Sequence, residues 1–227
     1  MSGAVNYQLT EGISEITLND GKANVMNLAM LEEIRRAFDR AAQDNAPVIL
    51  RSGLPGVFSA GFDLNVFKSG DQSALTNLVR TGALLAVHIL EHPLPVLGVQ
   101  AGHAFPMGAF LLLGCDFRIS VRGPTKIGLN EVAIGITPPE FAVELARSRL
   151  HPAWLNRTVL LGEMFGPEDA VRAGFADHVV DPEDVDQAIG EFIKAARKLD
   201  LPSHSRAKKK LRESTLTRVR AAIEAEM

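Results

Sequence analysis

Residues 55–64 read PGVFSAGFDL. A Pro–Gly turn opens the stretch, Ser59-Ala60-Gly61 clears away side-chain bulk, and Asp63 falls among apolar neighbours just before NVFKSG. The pattern is that of an extended segment turning into a helix. Gly61 supplies backbone freedom and space at the corner, and Asp63 is a residue type that caps a helix or complements its positive end. The first N–H groups of a helix lack internal partners, so the Phe62 N–H is expected to be available to a ligand. Taken alone, the stretch reads first as a plain strand–helix corner that uses glycine for its backbone angles.

A second segment, AGHAFPMGAFLLLGCD at 101–116, offers a similar feature. Pro106 suits the first turn of a helix because its missing N–H would be unpaired anyway. Met107 and Gly108 N–H are the next donors in line. The helix they begin has no polar face and belongs inside the protein. No Ser, Thr, Asp or Asn stands beside its start to satisfy those donors, which leaves an ordered water, a distant carbonyl or a ligand. Two such starts converging on one oxygen would form an oxyanion hole, each donor typically worth about 3 kcal/mol of barrier.

A base is the missing part, and KIGLNEVAIGITPPEF at 126–141 supplies a candidate in Glu131, flanked by Leu129, Val132, Ala133 and Ile134. Desolvation raises a carboxyl pKa toward that of a working general base; an exposed Glu at a strand end is the plainer alternative. Glu140, after Pro138–Pro139, reads as a carboxylate favoured by a helix dipole. His88 and His92 have i, i+4 spacing but no Glu between them, so a zinc site is not expected. Ser59 and His103 lack a GxSxG elbow around the serine. The run Lys208-Lys209-Lys210 reads as a solvated helix face.

The rest of the chain fits an α/β protein. Residues 6–20 alternate as a hairpin turning at Glu11–Gly12. Helical spacing marks 26–43 and 72–92, the second ended by Pro93, and strands are expected at 47–53, 94–102, 116–121 and 125–129. Everything from 138 onward reads as helical. With 227 residues, 46% hydrophobic, and no tandem repeat or long linker, residues 1–227 are expected to form a single domain with a C-terminal helical region at about 182–227. A net charge of −3 offers no basic patch for nucleic acid. No unbroken apolar run suggests a membrane span. The lone Cys115 and the absence of a basic–apolar leader fit a cytoplasmic protein.

In combination these motifs resemble the crotonase superfamily, the enoyl-CoA hydratases and isomerases, from about Tyr7 to His178. GVFSAGFDL resembles the family's first oxyanion segment, which implies Phe62 N–H as one donor, with Ala60, Gly61, Asp63 and Leu64 around the substrate. AGHAFPMGAFLLLGCDFRIS resembles the second, implying Met107 as the other donor with Gly108 and Phe110 nearby. IGLNEVAIGI resembles the segment bearing the catalytic glutamate, here Glu131, and GPEDAVRAGFADHVV resembles a late helix–turn element. GKANVMN resembles the turn at the adenine and phosphate end of CoA, which implies Lys22 and Ala23 there. The implied fold is a ClpP-like spiral of ββα units whose C-terminal helices build trimers, often paired into hexamers. No cofactor is implied beyond the CoA of an acyl-CoA thioester substrate.

Two departures refine the resemblance. Hydratases of the family use two glutamates, and the position of the first is Phe110, which cannot carry a proton. The usual glycine pair at the second oxyanion position is Pro106–Met107. A single glutamate and the wording IGLNE look most like the Δ3,Δ2-enoyl-CoA isomerase branch, with a hydratase or hydrolase aided by Glu140 as the alternative. A non-catalytic acyl-CoA binder would have no use for Glu131.

Overall fold

The computed structural model describes residues 3–227. Strands β1 (Val5–Thr10) and β2 (Ile13–Leu18) form the expected hairpin. Glu11 and Gly12 both take left-handed angles (φ 52 and 76), as a tight two-residue turn requires. After β3 (Val25–Met26), Asn27 caps α1 (Leu28–Gln43) by accepting the Met30 N–H at 2.9 Å. Next come β4 (Val48–Ser52), β5 (Gly56–Ser59), β6 (Gly61–Phe62), α2 (Leu64–Lys68) and α3 (Gln72–Glu91). Strands β7 (Val96–Gln100) and β8 (Gly102–Ala104) lead into α4 (Pro106–Gly114), and β9 (Phe117–Val121) and β10 (Ile127–Gly128) lead into α5 (Glu140–Arg149). The chain closes with β11 (Met164–Phe165), α6 (Pro167–Ala173), β12 (His178–Val180), α7 (Val185–Ala196) and α8 (Leu201–Glu226).

The strands sort into a large sheet, β1-β2-β4-β7-β9-β12, a smaller one, β11-β10-β8-β5, and the pair β3-β6. Each of β4/β5, β7/β8 and β9/β10 sends one strand to the large sheet and the next to the small one before a helix follows. Successive ββα units therefore wind as a spiral. From β2 onward the large sheet is parallel, and β7 is buried at every position, as a strand covered on both faces must be. Helix α4 is buried from Met107 to Gly114, matching its apolar sequence. Helix α3 has the length and hydropathy of a membrane span, against the sequence expectation; here it packs as a core helix on α1, α4 and α8.

Three features of the C-terminal third differ from the sequence reading. β11 and β12 lie where only helix was expected, because strands of two and three residues are too short to show alternation; β12 is fixed by its parallel pairing with β9. Where 153–162 reads as helix in the sequence, the chain makes a 3-10 turn (Pro152–Trp154) and a π-helical turn (Asn156–Leu160) instead. Lys208 is buried, not solvated: its Nζ donates to His92 O (2.8 Å), Leu94 O (3.1 Å) and Asp116 Oδ2 (2.6 Å). Arg212, one turn on, donates to Leu90 O (2.7 Å) and Gly114 O (3.2 Å). Those carbonyls belong to the ends of α3 and α4, where unpaired acceptors and the helix dipole favour cations. The two side chains thus seat α8 across both helix ends.

Candidate active site

The PGVFSAGFDL corner is built from strand pairing. β6 runs parallel to β3, with Val25 opposite Gly61 and Met26 opposite Phe62. Asp63 N–H donates to Met26 O at 3.3 Å. Successive amides of an extended chain face opposite ways, so the Phe62 N–H turns away from β3, and Phe62 lines a cavity of about 810 Å³. This corrects the sequence reading: Phe62 N–H is not the first amide of a helix but a strand amide on the open side. Helix α2 starts beyond it, capped by Asp63, which accepts the Asn65 N–H at 2.9 Å. Asp63 is a cap and lies outside the cavity lining.

Gly61 has φ +83, and a Cβ there would sit 3.4 Å from Phe105 Cβ. The left-handed backbone is what demands glycine here, since the added Cβ would meet the start of α4 only at ordinary contact distance. Ser59 locks the corner, donating its hydroxyl to Asn24 O (2.7 Å) and accepting the Gly61 N–H (3.1 Å). His103 Nδ1 accepts from the Lys126 N–H (3.2 Å), so both residues are occupied with framework contacts.

On the facing side, α4 begins at Pro106 with Phe105 as an N-cap that makes no side-chain bond. The first intrahelical bond into Phe105 O comes from Ala109 N–H (2.9 Å), which leaves Met107 and Gly108 N–H without helical partners. Phe105 and Pro106 line the cavity, whereas the Met107 side chain is fully buried behind it. Gly108 packs on β5, since a Cβ there would lie 2.7 Å from Ser59 Cβ.

One residue that the sequence reading passed over makes this arrangement possible. A Cβ on Gly82 of α3 would lie 2.5 Å from Phe62 Cζ and 3.0 Å from Met107 Sδ. The gap at Gly82 receives the tips of the Phe62 and Met107 side chains. A glycine inside an otherwise apolar helix, RTGALLAV, was the available signal.

Glu131 lies just after β10, before the 3-10 turn Val132–Ile134. Its carbonyl accepts the Ile134 (3.0 Å) and Ile136 (2.9 Å) N–H groups, which fixes the segment. The side chain lines the cavity with only 6% of the residue exposed, and Oε2 has no hydrogen-bond partner. Burial pushes its carboxyl up to about 7, opposed only by its own backbone N–H. Ala60, Leu64 and Phe110 also face the cavity; the Phe110 ring stands edge-on to Phe141 at 5.4 Å.

Other expected residues lie elsewhere. Glu140 points to Arg147 (3.7 Å) rather than into the cavity. Lys22 is exposed on a turn organised by Asp20, whose Oδ1 accepts the Lys22, Ala23 and Asn24 N–H groups, each at 2.8 Å. Ala23 O accepts the Ala60 N–H (2.9 Å), which ties this turn to the corner without bringing either residue into the cavity. His88 faces Asp39 (3.1 Å) and His92 packs edge-on to Phe38 (5.2 Å). Apolar walls from α2 and α3, including Phe67, Leu75 and Val79, were not foreseen.

A family model described as enoyl-CoA hydratase/isomerase matches residues 8–227. The structure of an enoyl-CoA hydratase/isomerase family protein from Pseudomonas syringae superimposes with a TM-score of 0.95 at 41% identity, over 98% of this chain and 96% of that one. Human mitochondrial enoyl-CoA delta isomerase 1 is 27% identical over 92% of this chain and 70% of its own length. A probable enoyl-CoA hydratase of Mycobacterium avium is also 27% identical, over 86% of this chain and 76% of its own length. The spiral of ββα units and the match along nearly the whole sequence have one reading: this chain belongs to the enoyl-CoA hydratase/isomerase family.

Proposed function

We propose that the protein moves the double bond of a 3-enoyl-CoA thioester to give the 2-enoyl isomer, with Glu131 as the one proton carrier. The observation that carries this reading is the pairing of Glu131, buried and with an unpartnered Oε2, with the hydrocarbon ring of Phe110 where the family resemblance would put a second glutamate. Relatives at equal identity are named for both isomerisation and hydration, so the choice rests on the cavity.

The thioester oxygen would accept the Phe62 and Met107 N–H groups. Glu131 then removes a proton from the alpha carbon, and the negative charge spreads onto the thioester oxygen as a dienolate held by the two donors. Returning the same proton from Glu131 to the gamma carbon shifts the double bond into conjugation and regenerates the carboxylate. No atom is gained or lost. Hydration would add a water and calls for a second group to activate it. Glu140 is turned toward Arg147 and gives that route no support. The Asp20 turn, joined to the corner through Ala23, is the side on which CoA would lie.

Offering 3-hexenoyl-CoA and crotonyl-CoA separately, with products identified by mass, tests the reading. Conversion of the first to a 2-enoyl ester of unchanged mass should outrun the gain of 18 Da on the second by about a hundredfold. Faster hydration of crotonyl-CoA than isomerisation would refute it.

A further inference from the structure

Helix α8 reaches the cavity at its far end, where Glu226 and Met227 join Pro138 and Pro139 in the lining. Two further observations give this contact a purpose. Helix α5 starts with Pro139 at its N-cap and no side-chain cap of its own. The missing acceptor comes from Glu226, whose Oε2 receives the Glu140 N–H at 2.8 Å. A carboxylate suits that position, because the first amides of a helix are unpaired and its dipole is positive there. Met227 packs on the main core, and its N–H is bonded to Ile223 O (3.0 Å), so it is held as the last turn of α8.

We propose that the Glu226–Glu140 bond is a latch that holds Met227 as a wall of the acyl site and so sets how long an acyl chain the enzyme accepts. The inference rests on the acyl-CoA reading above. Glu131 lies on the same segment as Ile134–Pro139, so an acyl chain whose alpha carbon is at Glu131 runs along the wall that Met227 completes. Methionine is flexible and tolerant in packing, which suits a wall that yields when its tether is released. Glu226 is itself exposed and carries no core packing, so the hydrogen bond is its main attachment.

The latch can be broken from either side. Glu226→Ala removes the acceptor. Glu140→Pro removes the donor at a first-turn position where proline is favoured, and Pro139 already has the extended ψ of 154 that a following proline requires. Met227→Ala removes the wall itself. The experiment is calorimetric binding of saturated acyl-CoA esters from C4 to C16, which can be neither isomerised nor hydrated. All three variants should shift the tightest-binding chain to longer esters by about two methylenes, with affinity for those esters rising about fourfold per methylene newly buried. Affinity for the C4 ester should stay unchanged. An identical length profile in wild type and all three variants would overturn the proposal, and a shift in Met227→Ala alone would overturn the latch. If the wild-type chain bound none of the esters, the acyl-CoA reading would fall and the latch with it.

Discussion

The carboxylates of Asp116 and Glu131 meet buried surroundings in opposite ways. Asp116 lies beneath α8 with Lys208 at 2.6 Å and Arg212 at 2.9 Å, and it also accepts the Val96 N–H at 2.8 Å. Burial lowers Lys208 to about 8, with the Asp116 charge opposing the shift, and both cations keep backbone carbonyls as further partners. Glu131 has no such company, and burial acts on it almost unopposed. A partnered charge is committed to the framework. An unpartnered one keeps its basicity.

The largest effect expected from this contrast is on turnover. Glu131→Gln keeps the shape and removes the base, so isomerisation should fall by about 10³-fold, read as kcat on 3-enoyl-CoA with acyl-CoA binding retained. Near-normal turnover would return Glu131 to a structural role.

Stability should respond to the same kind of change with opposite signs in the two regions. Asp116→Asn leaves buried Lys208 and Arg212 without their counter-charge and should cost about 3–5 kcal/mol in urea unfolding at pH 7. Glu131→Gln should instead stabilise. The Glu131 pKa is raised on folding from 4.5 to about 7, so the folded state favours the protonated form. The penalty is absent below the unfolded value, grows as pH rises between the two, and is complete above about 7. The variant should match wild type near pH 4 and exceed it by about 3 kcal/mol at pH 8. Equal stability at both pH values would show that Glu131 is not desolvated.

The two regions also differed in how far they could be read in advance. Glu131 was legible because a lone acidic residue among Leu129, Val132 and Ile134 is a local signal of desolvation. Glycine and proline at Gly61 and Pro106 marked the two corners for local backbone reasons. Asp116, Lys208 and Arg212 were not legible, because the partners lie 92 and 96 positions apart and a lysine run looks the same in sequence whether buried or solvated. The Phe62 N–H was expected to be free for an incomplete reason: it is turned away by pairing with β3, a contact across 36 positions, rather than left over at a helix start. A separation of 86 positions hid the Glu226–Glu140 contact.

If Glu131 is the desolvated base proposed above and works as a free carboxylate, the pH dependence of kcat/KM for 3-enoyl-CoA isomerisation reads its ionisation most directly. The free enzyme must be ionised at Glu131, so kcat/KM should rise about tenfold per pH unit at low pH and level off with a midpoint near 7. A profile already flat down to pH 5, or a midpoint near the ordinary carboxyl value of 4.5, would contradict it.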